Sequence, residues 1–236
     1  MLETVSIKNV LCLDIETVPQ YSNYDLCPNE LKTLWKRKAL QLRKTEEDTD
    51  EILYERAGIY AEFGKIICIS IGVFSDKWKR NFILQSFFDD DEFKLLRSFK
   101  NFLDELSPAT ILCGHNGKEF DFPYISRRMI INGIGLPDLL NLHGKKPWEI
   151  QHLDTLELWK FGDYKNYTPL NLLAYILNIK SPKDDIDGSM VADVYYKEKN
   201  LLRIVEYCQK DVVTVMQVLL RLRQEELLSE NEILVT

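Results

Sequence analysis

Histidine is scarce in this chain and poorly spaced for holding a metal. There are three, His115, His143 and His152, and no two sit at the short interval of a zinc site, which argues against a zinc enzyme. The five cysteines, Cys12, Cys27, Cys68, Cys113 and Cys208, are odd in number and scattered. They read as reduced interior residues, not as a disulfide framework or a thiolate cluster. No apolar run approaches the roughly 20 residues that cross a bilayer. The opening MLETVSIKNV also lacks the basic, apolar, small-residue layout of a signal peptide. A cytoplasmic protein with no membrane partner is expected. A basic excess is missing too: the formal net charge is −7, which excludes reliance on a broad basic face for non-specific duplex binding. No repeat, low-complexity tract or flexible linker divides the 236 residues, so one domain over 1–236 is expected.

The most informative stretch is Val10–Val18, VLCLDIETV. An apolar run leads straight into Asp14, Ile15, Glu16 and Thr17. On a strand, alternate side chains share a face, so Asp14 and Glu16 project together, about 6–7 Å apart by the rise per residue. Two carboxylates held that close repel each other, and a hard divalent cation such as Mg²⁺ between them relieves the repulsion. Taken alone, the same pattern equally describes an edge strand ending in solvated acids.

The remaining pattern alternates strands and helices. Residues 5–18 form a first strand, and 21–62 a polar connection with helical spacing through Leu31, Leu34, Trp35, Ala39 and Leu42. That connection is long for a strand-to-strand link and reads as a helical insertion covering one edge. Lys65–Phe74 and Lys79–Phe87 read as a hairpin. Asp89–Leu106 has a helical period with acids at its start, where the helix dipole favours them. Thr110–Cys113 is a short strand and Phe122–Asn132 a helix, with Pro123 in its first turn and Gly133 at its end. His152–Leu158 reads as a fifth strand. Pro169–Leu177, Ser189–Glu198 and Leu201–Leu228 read as helices, the last with Ile204, Val205, Cys208, Val212, Val215, Met216 and Leu219 on one side. The order predicts an α/β fold with a mixed five-stranded sheet.

Two further acidic positions stand out. Asp121 closes the loop Gly114–Pro123, GHNGKEFDFP, where a helix N-cap is the simplest role. Tyr207 and Asp211 lie one turn apart on the last helix, beside its apolar side. A charge there needs a partner. Together, Asp14-Ile-Glu16, Asn116-Gly-Lys-Glu-Phe120-Asp121 and Tyr207-x-x-x-Asp211 resemble the three motifs of the DEDDy 3′–5′ exonucleases. The likeness is to the proofreading domains of family-B DNA polymerases and to stand-alone exonucleases related to them. Glu62-Phe-Gly-Lys-Ile and Lys183-Asp-Asp-Ile-Asp-Gly-Ser189 fit the same group.

The resemblance implies a ribonuclease-H-like fold and a two-metal mechanism with Mg²⁺ or Mn²⁺. Asp14 would bridge both ions. Glu16 and Asp211 would hold the ion that generates the attacking hydroxide, and Asp121 the other. Tyr207 would orient the attacking water; with a reference pKa near 10, Tyr suits a hydrogen-bonding role better than a general base. Thr17, Asn116 and Phe120 are the implied substrate-binding residues, Phe120 equally readable as core. Lys118, Arg127 and Arg128 are candidate backbone contacts. The implied substrate is nucleic acid, single-stranded DNA first, with RNA 3′ ends as the alternative. A non-catalytic nucleic-acid-binding module on the same fold is the reading from another class.

Two look-alikes fail on spacing. Gly114–Glu119 lacks the four residues between glycines, and the Ser or Thr after Lys, of a phosphate loop. Asp185-Ile-Asp187-Gly188, aligned on its glycine as a calcium loop, puts Lys183 at the first ligand and Val194 at the bidentate acid. Asp154, in the expected fifth strand, is a further acid that the motif set does not require.

Overall fold

The computed structural model describes residues 2–75, 80–163, 167–180 and 186–236. Its centre is β1 (Val10–Pro19), almost wholly buried, in keeping with its apolar run. β1 pairs antiparallel with β2 (Gly64–Phe74), which pairs antiparallel with β3 (Phe82–Phe88). On its other side β1 pairs parallel with β4 (Ile111–Gly114), and β4 with β5 (Leu153–Asp154). A short β6 (Ile233–Val235) runs parallel to β3. The sheet therefore has six strands in the order β5-β4-β1-β2-β3-β6, not five. The expected fifth strand is two residues long, because Asp154 turns the chain into a helix at Thr155. The sixth comes from the tail, where a helix was expected to run on to Leu228.

Helices cover both faces. α1 (Asn29–Leu42) and α2 (Asp50–Tyr54) belong to the segment between β1 and β2, which builds a small core of its own around Trp35, Ala39 and Tyr54. Gly58 lies so close to Val18 that a Cβ there would sit 3.0 Å from the Val18 carbonyl carbon. The insertion thus caps the end of the β1–β2 pair and does not cover a lateral edge. α3 (Glu92–Asp104) and α4 (Asp121–Ile131) pack on one sheet face against Leu11, Leu13 and Ile15. α8 (Leu201–Leu222) lies across the other face, over Val10, Cys12, Phe82 and Leu84. Between them in sequence come α5 (Thr155–Lys160), α6 (Leu170–Ile176) and α7 (Val191–Asp193), the last continuing as one π-turn over Val194–Glu198. This mixed sheet between helical layers is the ribonuclease-H-like arrangement. No helix among the described residues is long and apolar enough to cross a membrane.

Candidate active site

β1 delivers the first two acids. Val10 and Cys12 join the core beneath α8, while Leu11, Leu13 and Ile15 turn to the opposite one. Asp14 and Glu16 continue the α8-facing set, Asp14 half-buried and Glu16 buried. Directly after Glu16 the ladder slips: Glu16 pairs with Cys68 but Thr17 with Ile66, so Ile67 has no partner on β1. A bulge of this kind bends a strand and re-aims its side chains, and such bulges gather beside functional sites.

The second motif is brought in by a tight loop. A Cβ on Gly114 would lie 3.0 Å from the Gly117 Cα, so the backbone doubles back in direct contact. Asn116 takes the left-handed conformation at the turn, with φ 63°. Asp154 braces the loop from β5. Its carboxylate accepts the amides of Asn116 (2.9 Å) and Lys118 (3.0 Å), and also those of Leu156 (2.9 Å) and Glu157 (3.4 Å), so it caps α5 as well. Asp121 then opens α4, buried, its Oδ1 accepting the Ile15 amide at 3.2 Å. It is the first helical residue and not the N-cap, so its carboxylate reaches β1 between Asp14 and Glu16.

α8 supplies the third motif. Tyr207 and Asp211 lie one turn apart, both half-buried, and the Tyr207 hydroxyl donates to the Asp211 carboxylate. Between them, the Cys208 thiol lies 3.4 Å from both the Asp14 carbonyl oxygen and Asp14 Oδ2. Ligand atoms of Asp14, Glu16 and Cys208 fall within 4.8 Å of one another.

The electrostatics show strain of one sign. Burial, then the charges of Asp121, Glu16 and Asp211, push Asp14 well above the usual carboxylate range, and the Cys208 hydrogen bond pulls it back in part. Burial and Asp211 do the same to Glu16. Burial is also the largest effect on Asp121, raised to about 7 despite its backbone hydrogen bonds. Tyr207 is pushed up by burial and by Asp211, Glu16 and Asp14, and stays protonated. Among the described residues no Lys or Arg pairs with Asp14, Glu16 or Asp121. Asp14, Glu16 and Asp121, clustered and presenting hard oxygen donors, fit a divalent cation.

The other sequence candidates separate. Thr17 is half-buried and bonds the Tyr124 side chain. Phe120 packs against Tyr124 at 5.3 Å and joins the α4 core. Asn116 is half-buried at the loop tip. Lys118 is tied to Glu157 at 2.8 Å, and Arg127 is exposed. Arg128 is not a surface contact. It is buried and forks onto buried Glu92 at 2.8 and 2.5 Å, with a third bond to the Ala61 carbonyl. Lys183, Asp184 and Asp185 lie outside the described residues, as does Lys79 at the expected start of β3.

Two residues at the site escaped the sequence reading. His115 bridges Thr155 Oγ1 and the Thr168 carbonyl oxygen, each at 2.9 Å. Tyr167 sets its ring edge-on to His115, centroids 6.4 Å apart. Partial burial, Asp121 and Asp154 raise its phenol.

Fold and site together define a ribonuclease-H-like protein with a buried carboxylate centre beside a protonated tyrosine. A family described as predicted 3′–5′ exonucleases related to the exonuclease domain of PolB matches residues 59–232, and the chain belongs to it. Asp121, Tyr207 and Asp211 fall inside that span; Asp14 and Glu16 precede it. Among solved structures, the family B DNA polymerase of the hyperthermophilic archaeon Pyrobaculum calidifontis superposes with a TM-score of 0.56 at 18% identity, over 89% of this chain. This chain spans 24% of that polymerase. No curated protein matches.

Proposed function

We propose that this chain, as one domain over 1–236, is a cytoplasmic, divalent-metal-dependent 3′–5′ exonuclease that releases nucleoside monophosphates from single-stranded DNA. The observation that carries the reading is the convergence of Asp14, Glu16, Asp121 and Asp211, with protonated Tyr207, from three distant segments onto one end of the parallel strands. A cytoplasmic location accords with five buried free cysteines.

In this reading Asp14, Glu16, Asp121 and Asp211 would together hold the divalent ions, with Asp14 central to the set. A bound pair of Mg²⁺ or Mn²⁺ ions acidifies water and stabilises negative charge on the phosphate and the leaving oxygen. The chain does the positioning. The Ile15 amide fixes Asp121, the Cys208 thiol fixes Asp14, and Tyr207, its proton committed to Asp211, accepts from the attacking water. Water oxygen bonds to phosphorus as the P–O3′ bond breaks; the water gives up a proton to solvent, and the departing 3′ oxygen takes one from solvent to become the new 3′-hydroxyl of the shortened strand. Asn116, at the tip of its loop, would meet the terminal nucleotide, with Thr17 and Phe120, both turned to Tyr124, backing that side of the site.

The test is digestion of a 5′-labelled single strand with Mg²⁺ or Mn²⁺. A descending ladder that a blocked 3′-hydroxyl slows and EDTA abolishes supports the reading. First release of the labelled 5′ mononucleotide, or digestion undiminished in EDTA, overturns it. A parallel RNA strand reports the sugar preference.

A further inference from the structure

Tyr167 is out of place for a core aromatic. It is 62% exposed, yet its position is pinned. The neighbouring Thr168 carbonyl accepts from His115 Nε2, and the His115 ring meets the Tyr167 ring edge-on. His115 is itself held by Thr155 Oγ1 through Nδ1. It leads directly into Asn116, whose amide is bonded to Asp154. An exposed ring is therefore anchored to the loop that delivers Asp121, by the hydrogen bond at Thr168 and by the edge-on ring contact with His115. Partial burial, then Asp121 and Asp154, raise its phenol, in keeping with its ring contact to His115 at the start of that loop. Solvent exposure beside a fixed catalytic loop suits a face that something else covers.

We propose that Tyr167 is the stacking platform for a base at the 3′ end of the single strand, with His115 as its positioning residue. This rests on the nuclease reading and deepens it, because it names how an acidic protein grips a polyanion. The hold is on the base face and not on the phosphates; every base offers a π surface, so no sequence is preferred. Phe120, committed to Tyr124 and the α4 core, is less free to do this.

The experiment uses single-stranded oligothymidylate with 2-aminopurine at its 3′ end, bound in Ca²⁺, and reads affinity and fluorescence quenching for the wild type, Tyr167→Ala, Tyr167→Phe and Tyr167→Leu. Stacking contributes on the order of 5- to 100-fold in affinity. Tyr167→Ala and Tyr167→Leu should lose that much affinity and most of the quenching, and Tyr167→Phe should keep both. His115→Ala should weaken binding in the wild-type background and add little to Tyr167→Ala, the signature of two residues acting as one. Equal affinity and quenching for Tyr167→Ala and wild type overturns the proposal, and so does Tyr167→Phe binding as weakly as Tyr167→Ala. The nuclease reading fails separately: a wild-type protein that quenches the probe but leaves the strand uncut in Mg²⁺ and Mn²⁺ keeps the platform and loses the enzyme.

Discussion

The Ile15 amide donates to Asp121 Oδ1 at 3.2 Å, across 106 residues of chain. Ile15 is the residue between Asp14 and Glu16, so one backbone bond fixes the acid of α4 against the pair on β1. A carboxylate buried among others accepts this bond in place of water, and the position of Asp121 follows from it.

Asp14 is central to the cluster, repelled by Asp121, Glu16 and Asp211. Asp14→Ala should reduce exonuclease activity to background while the metal-free protein gains stability, by about 1–2 kcal/mol, since one of several repelling acids is gone. Thermal melting in EDTA and calorimetric titration with Mn²⁺ check it: a higher melting point with weakened metal binding is expected, and near-normal activity would refute the assignment.

On the proposed assignment, Tyr207 acts through its hydroxyl. Tyr207→Phe keeps the ring and its packing, so metal affinity should be nearly unchanged while the rate falls on the order of 10- to 1,000-fold. Single-turnover rates at saturating Mg²⁺ measure this. Loss of metal binding as complete as in Asp14→Ala would show that Tyr207 organises the centre and does more than orient water.

The metal-free protein should grow less stable as pH rises. Asp121, raised to about 7, binds its proton more tightly folded than unfolded. Its contribution is present in full below the ordinary carboxylate pKa near 3.8 and is lost as pH climbs through about 7. Melting points in EDTA between pH 5 and 8 should fall with pH, and less steeply in Asp121→Asn. An identical slope in both proteins would assign the dependence to other groups.

Arg128 and Glu92 form a buried pair. Arg128→Ala should cost about 3–5 kcal/mol, because Glu92 is left charged and buried. Arg127→Ala, one residue away and exposed, should change stability by no more than about 0.5 kcal/mol. Urea denaturation compares the two. Similar costs would mean that Glu92 finds another partner.

The sequence made β1 and α8 legible because each carries one uninterrupted periodicity: alternation into Asp14 and Glu16, and a 3–4 spacing through Ile204 to Leu219. Motif order made the acid set legible even though each acid alone was ambiguous. β6 was not legible, since Ile233–Val235 is too short to alternate and becomes a strand only by lying beside β3. Arg128 misled because a cation on a helix looks solvated until α3 brings Glu92 to it. Asp154 misled less. An Asp directly before Thr155-Leu-Glu157 is a helix-start pattern, and capping α5 is part of what it does. Tyr167 and His115 had no local signal at all, because their meeting is set by the loops around β4 and β5.

Cys208 touches Asp14 across 194 residues of chain. On the proposed assignment, a growing polypeptide presents Asp14 and Glu16 long before Tyr207 and Asp211 have been made. Until α8 docks, the leading acids lie on a strand with an open face, lacking half their partners. On that assignment cutting power would arrive only once α8 has docked, and a chain stopped short of it would leave the nucleic acids around it uncut.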